Sequence, residues 1–195
     1  MRSIFFLVLL TLCWANTTFG QTPFLDELVT SAKSLTNDEV IYDPSYFSIE
    51  YPNGDVPKDR GVCTDVIIRA YRKLGIDLQK EVHEDMSSNF NLYPNIWGLS
   101  TTDKNIDHRR VPNLMKFFER HGQVLPITKN SADYKPGDIV CWNLGGATTH
   151  IGIVIDEKSN IDAERHLIVH NIGSGQVTED CLFNFKIIGH YRYVK

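Results

Sequence analysis

The hydrophobic period changes once along this 195-residue chain, and that change fixes the class of fold. Up to residue 121 the apolar residues recur at helical spacing. Phe24, Leu25, Leu28, Val29, Ala32 and Leu35 form one stripe, with Asn37-Asp38 as its stop. Val66, Ile67, Ala70, Tyr71 and Leu74 form a second on a helix that Cys63 opens and Gly75 ends. Leu78 to Phe90 reads as a third helix. Val111 to His121 reads as a fourth, with Pro112 in its first turn and Gly122 beyond its end. After residue 134 the pattern becomes that of strands. The turn Tyr134-Lys135-Pro136-Gly137 feeds a strand over Asp138–Leu144, Gly145-Gly146 breaks it, and His150–Asp156 follows. Leu167–Asn171 and Ile187–Tyr193 supply two more, while Tyr42–Pro57 and Asn91–Asn105 read as loops. Helices first and antiparallel strands last predict an α+β domain, its N-terminal helices packed on a C-terminal antiparallel β-sheet.

The opening residues address compartment rather than fold. Arg2, an apolar run from Ile4 to Leu12, and Thr18-Phe19-Gly20 have the order of a secretory signal, with cleavage expected after Gly20. The run is too short to span a bilayer, which takes about 20 residues, so stable membrane insertion is not expected. The predicted organisation is a leader over 1–20, an N-terminal helix and lead-in over 21–41, and a main domain over 42–195. The expected location is periplasmic or extracellular. Beyond the leader stand Cys63, Cys141 and Cys181, an odd number that leaves at least one thiol free even where disulfides form. A Cys141–Cys181 bridge is one open pairing. The formal charge of −4, with no basic cluster, argues against nucleic acid as a partner.

Cys63 is the residue with the most chemistry to offer. A thiol at a helix N-terminus is favoured as thiolate by the positive end of the helix. Two histidines, His150 and His170, follow on strands. The order nucleophile, base, base-orienter is that of a cysteine hydrolase.

At these residues the chain resembles a known group. Cys63 at a helix start, Pro136-Gly137-Asp138-Ile139-Val140, His150-Ile151-Gly152-Ile153-Val154 and Ile168-Val169-His170 are similar to the NlpC/P60 superfamily of papain-type cell-wall cysteine peptidases. A closer resemblance, to the bacterial DUF1287 family, covers roughly Tyr42 to Tyr193. It is carried by Asp59–Asp65, Val82–Met86, Asn105–Arg110, Val169–Gly173 and Gly189–Arg192. The resemblance implies an NlpC/P60-like fold with a helical insertion around 78–121. It also implies roles. Cys63 would form an acyl-enzyme, His150 would act as base and then acid, and His170 would orient His150 in preference to its neighbour Asn171. Tyr51, twelve positions before Cys63, would join the oxyanion site.

Asp107-His108-Arg109-Arg110 precedes a helix. Asp107 as a cap is one reading; the other has Arg109 or Arg110 gripping a carboxylate of the substrate peptide. His83, Glu84, Asp85 and His108 are not expected to hold a metal, because neighbours on a helix diverge by about 100° per residue. No cofactor motif is present. The expected function is hydrolysis of peptide or amide bonds in peptidoglycan. A non-catalytic wall-binding module and a thiol acyltransferase are the alternatives.

Overall fold

The computed structural model describes residues 21–195, with side chains from residue 23 onward. The predicted leader lies outside the described residues. The helices are α1 (Gln21–Leu35), α2 (Cys63–Lys73), α3 (Leu78–Ser88) and α4 (Val111–His121). The strands are β1 (Ile41–Tyr42), β2 (Arg60–Gly61), β3 (Gln123–Val124), β4 (Ile139–Gly145), β5 (Thr148–Lys158), β6 (His166–His170), β7 (Val177–Glu179) and β8 (Lys186–Arg192). β1 and β2 form a small parallel pair. The other six form one sheet in the order β3-β8-β4-β5-β6-β7, antiparallel at every step. The α+β expectation holds, and the four predicted helices and four predicted strands are present. Short β1, β2, β3 and β7 are additions, too brief to display an alternation. No helix among the described residues is long and apolar enough to cross a membrane.

Alternation along the strands sorts side chains onto two faces. Ile139, Cys141, Ile151, Ile153, Ile155, Val169 and Tyr191 face the helices, joining Leu28, Val66, Ile67, Tyr71, Leu114 and Phe118 in the main core. Leu78 and Val82 of α3 share that core, so the segment around 78–121 is built into it. Val140, Trp142, Val154 and Ile168 face the other way, under a cover made by Tyr134, Cys181 and Leu182. The indole of Trp142 ties that cover down by donating to the Leu182 carbonyl at 2.9 Å.

Local chemistry fixes the start and end of α2. The Asp65 carboxylate accepts the Val62 N–H at 2.7 Å, one of the donors a helix start leaves without a partner. Gly75, at φ +79°, lets the chain reverse, and Ile76 N–H then reaches the Tyr71 carbonyl at 3.1 Å. Asp138 of the Pro-Gly-Asp turn is fully buried and structural. It accepts from His190 Nε2 at 2.9 Å, from Arg192 Nε at 2.8 Å and from the Lys135 N–H at 2.8 Å.

Candidate active site

Cys63 is the first residue of α2 and contributes to the wall of a groove of about 220 Å³. Tyr42, Trp97, Arg110 and Thr149 line it as well. β2 leads directly into α2, and β1 pairs with β2 so that Tyr42 stands in register with Gly61, two residues before the cysteine. The sulfur rests against β5, and the main-chain N–H groups of Ile151 and Thr64 lie near it. These donors favour the thiolate. Burial outweighs them and pushes the Cys63 thiol up to about 12, so it keeps its proton at neutral pH.

His150 and His170 meet as expected. Their rings share a hydrogen bond of 2.8 Å between His150 Nε2 and His170 Nδ1, and His170 Nε2 reaches Glu179 Oε2 at 3.2 Å. Asn171, the alternative orienter, points to the other face and donates to the Gly61 carbonyl at 3.4 Å. The pair lies on the second face of the sheet: His150 stands in register with Trp142, and their ring centroids are 5.6 Å apart. Cys63 packs on the first face. The expected thiol–imidazole hydrogen bond is therefore not formed, because neighbouring residues of β5 alternate and it is Thr149 and Ile151 that face the sulfur. His150 Nδ1 has no hydrogen-bond partner among the described residues and is not sealed from solvent. Burial first, then His170, lowers the His150 imidazole to about 3, leaving it neutral and a weak base at physiological pH.

Three further expectations are corrected. Tyr51 sits beside α3, its ring edge-on to His83 at 5.1 Å, and takes no part in the groove; Tyr42 is the tyrosine next to Cys63. Burial, then the neighbouring Cys63, raises the Tyr42 phenol. Arg109 is not free for substrate: its guanidinium grips Asp65 through Nε and Nη2, both at 3.0 Å, with each side chain 3% exposed. Asp107 is fully buried, accepting from the Asp103 N–H and from Arg110, so it does not cap α4, and it is not part of the groove wall. Both arginines line the groove, and Arg110 is the one not locked onto Asp65. It lies over the Trp97 ring, 4.1 Å from the centroid, which orients its planar guanidinium.

Cys141 and Cys181 are free thiols on opposite faces of the sheet, which rules out the bridge between them. Among the described residues one group has metal-ligand composition, His170, Glu179 and Cys181. A larger cavity of about 470 Å³ lies elsewhere, lined by Asp55, Arg69 and Arg72, whose charges pair with one another.

The buried imidazoles predict an acid-labile protein. His108, like His150, is lowered to about 3, by burial first and then by Arg109. Unfolded histidine titrates near about 6.5, so each site contributes stability that is complete above that pH and lost as pH falls toward 3. Urea midpoints should therefore drop steeply between pH 7 and 4.5, and less so in His108→Gln; a flat midpoint would contradict the two burial assignments.

The family model described as "Domain of unknown function (DUF1287)" matches residues 29–193. The chain belongs to the DUF1287 family. Within it, the chain is similar to the "Uncharacterized protein YijF" of Escherichia coli (strain K12), at 51% identity over 162 residues, which cover 83% of this chain and 78% of that one. No solved structure matches this DUF1287 chain. The match takes in Cys63, His150, His170 and all six strands of the main sheet.

Proposed function

We propose that this DUF1287 protein is an exported, NlpC/P60-like cysteine hydrolase that cuts peptide or amide bonds of peptidoglycan. The observation that carries the reading is the wall of the groove. It combines a helix-start thiol, main-chain N–H groups near the sulfur, and a stacked arginine suited to a carboxylate. On the adjoining strand residue a preformed imidazole pair leaves one nitrogen open.

In this reading the observed arrangement, with Cys63 and His150 apart and both neutral, is a resting form. Substrate would seat a carboxylate on Arg110 and its scissile carbonyl against Cys63. Movement of the strand start at Thr148–His150, next to the Gly145-Gly146 turn, would bring His150 Nδ1 to the sulfur. Catalytic hydrogen bonds are often long or unmade before substrate binds. His150 then takes the thiol proton as sulfur attacks, and returns it to the leaving amine; water releases the acyl group and restores the thiol. The Cys63 and Thr64 main-chain N–H groups, with the Tyr42 hydroxyl, would serve as donors to the developing oxyanion, a role worth about 3 kcal/mol per donor.

Purified sacculi treated with wild type should release new muropeptides, and Cys63→Ala should release none. Identical profiles would end the reading. Appearance of added amine acceptors in the products would indicate the thiol acyltransferase instead. The missing sulfur–imidazole bond favours a second reading, a wall-binding module without turnover. Its mark is sacculus binding that is equal in wild type and Cys63→Ala, with no release from either.

A further inference from the structure

The second face of the sheet carries a cluster with chemistry of its own. His170 closes β6, Glu179 closes β7, and Cys181 follows two residues later. Glu179 stands in register with Ile168, so it shares a face with Ile168 and His170, and Cys181 lies in the apolar cover of that face. One atom meets both neighbours: His170 Nε2 is 3.2 Å from Glu179 Oε2 and 3.6 Å from Cys181 Sγ. All three ligand atoms fall within 4.8 Å of one another. A single ring nitrogen offers one proton or one lone pair, so it satisfies one of these neighbours and leaves the other without a full partner. Among the described residues no lysine or arginine pairs with Glu179; its one ionic contact is His170, at 3.2 Å. The two spacings also match the edges of a tetrahedron, about 3.3–3.8 Å, around an ion bound at ~2.0–2.3 Å by nitrogen, oxygen and sulfur.

We propose that His170, Glu179 and Cys181 form a site for a zinc-class divalent cation, and that filling it switches the tautomer of the imidazole pair. On loading, the Cys181 thiol gives its proton to solvent. Sulfur, His170 Nε2 and a Glu179 oxygen each form a bond to the ion, with water in the fourth position and no change of oxidation state. Glu179, whose side chain is 46% exposed, is the way in; His170 and Cys181 are buried behind it.

The consequence for His150 follows from proton counting. Without the ion, an ionised Glu179 can only accept, so its contact calls for Nε2–H on His170, whose Nδ1 then accepts Nε2–H from His150. That leaves a lone pair on His150 Nδ1, the atom a base needs. With the ion on His170 Nε2, the ring proton moves to Nδ1 and is donated to His150 Nε2, so His150 carries its own proton on Nδ1. The loaded protein therefore lacks a base. This step rests on the hydrolase reading of His150, whereas the site itself does not.

Cobalt(II) titrated into the metal-free protein is the test. Wild type and Cys63→Ser should bind one equivalent and develop a thiolate-to-cobalt charge-transfer band, which Cys181→Ser lacks and Glu179→Gln shows at much weaker affinity. Circular dichroism establishes that each variant is folded, and the exposed Glu179 keeps the test open should Cys181→Ser fail to fold. No saturable binding by wild type, or a band that follows Cys63 instead of Cys181, overturns the site. In parallel, zinc should abolish muropeptide release by wild type, reversibly with chelator, while Cys181→Ser resists it. Binding with undiminished release overturns the tautomer switch. A cobalt band in a protein that never releases muropeptide leaves the site standing and counts against the hydrolase reading alone.

Discussion

Arg109→Ala should cost about 3–5 kcal/mol of folding free energy, the expected loss when one partner of a buried ion pair is removed. The Asp65 carboxylate left behind is 3% exposed, and it also holds the Val62 N–H at the start of α2. The loss therefore falls on the turn that presents Cys63. Urea unfolding should show a large fall in midpoint, and Asp65→Ala with Arg109→Ala should together lose less than the sum of the two. Arg110→Lys is the contrast. It keeps a charge beside Asp107 but gives up the planar stack on Trp97, so stability should change by less than ~1 kcal/mol. KM for an acidic stem peptide should rise while kcat holds. Near-wild-type stability of Arg109→Ala with a raised KM would reverse the two assignments.

His150→Gln should lower kcat by about 10²–10⁴, the range for losing a positioned acid–base group, with little change in KM. Glutamine fills similar space and can still hydrogen-bond to His170, but it cannot carry the proton from Cys63. The same substitution removes one imidazole that resists protonation on folding, so the variant should also be less acid-sensitive than wild type. Wild-type turnover in His150→Gln would mean that the base is another group.

The helices and long strands were legible because each buries one face, and burial writes a period into the sequence. Val111–His121 falls at its predicted bounds because Pro112 and Gly122 punctuate it. Edge pieces escaped: β3 and β1 are two residues each, and pairing partners decide them, not pattern. At the site, Cys63 at a helix start and the contact of His150 with His170 were both readable. The sheet face was readable in principle as well, since His150 alternates with the apolar Ile151, Ile153 and Ile155 that pack under the helices. The choice of Tyr42 over Tyr51 was not, because the parallel register with Gly61 brings Tyr42 to the groove across a long loop. Nor was the split between the arginines. Arg109 and Arg110 are adjacent and chemically alike, and only the fold turns one inward to Asp65 and the other onto Trp97. Glu179 and Cys181 carried no spacing signal, since the third member of their cluster comes from another strand.

Two thiols compete for the catalytic role. Cys63 opens onto the groove, while Cys181 has an imidazole nitrogen 3.6 Å away. Acid-quenched wild type, mixed with a purified muropeptide and digested for mass spectrometry, separates them directly. The account predicts an acyl adduct on the peptide containing Cys63, absent from Cys63→Ala and long-lived when water attack is slow. An adduct on Cys181, or product release by Cys63→Ala, would contradict it.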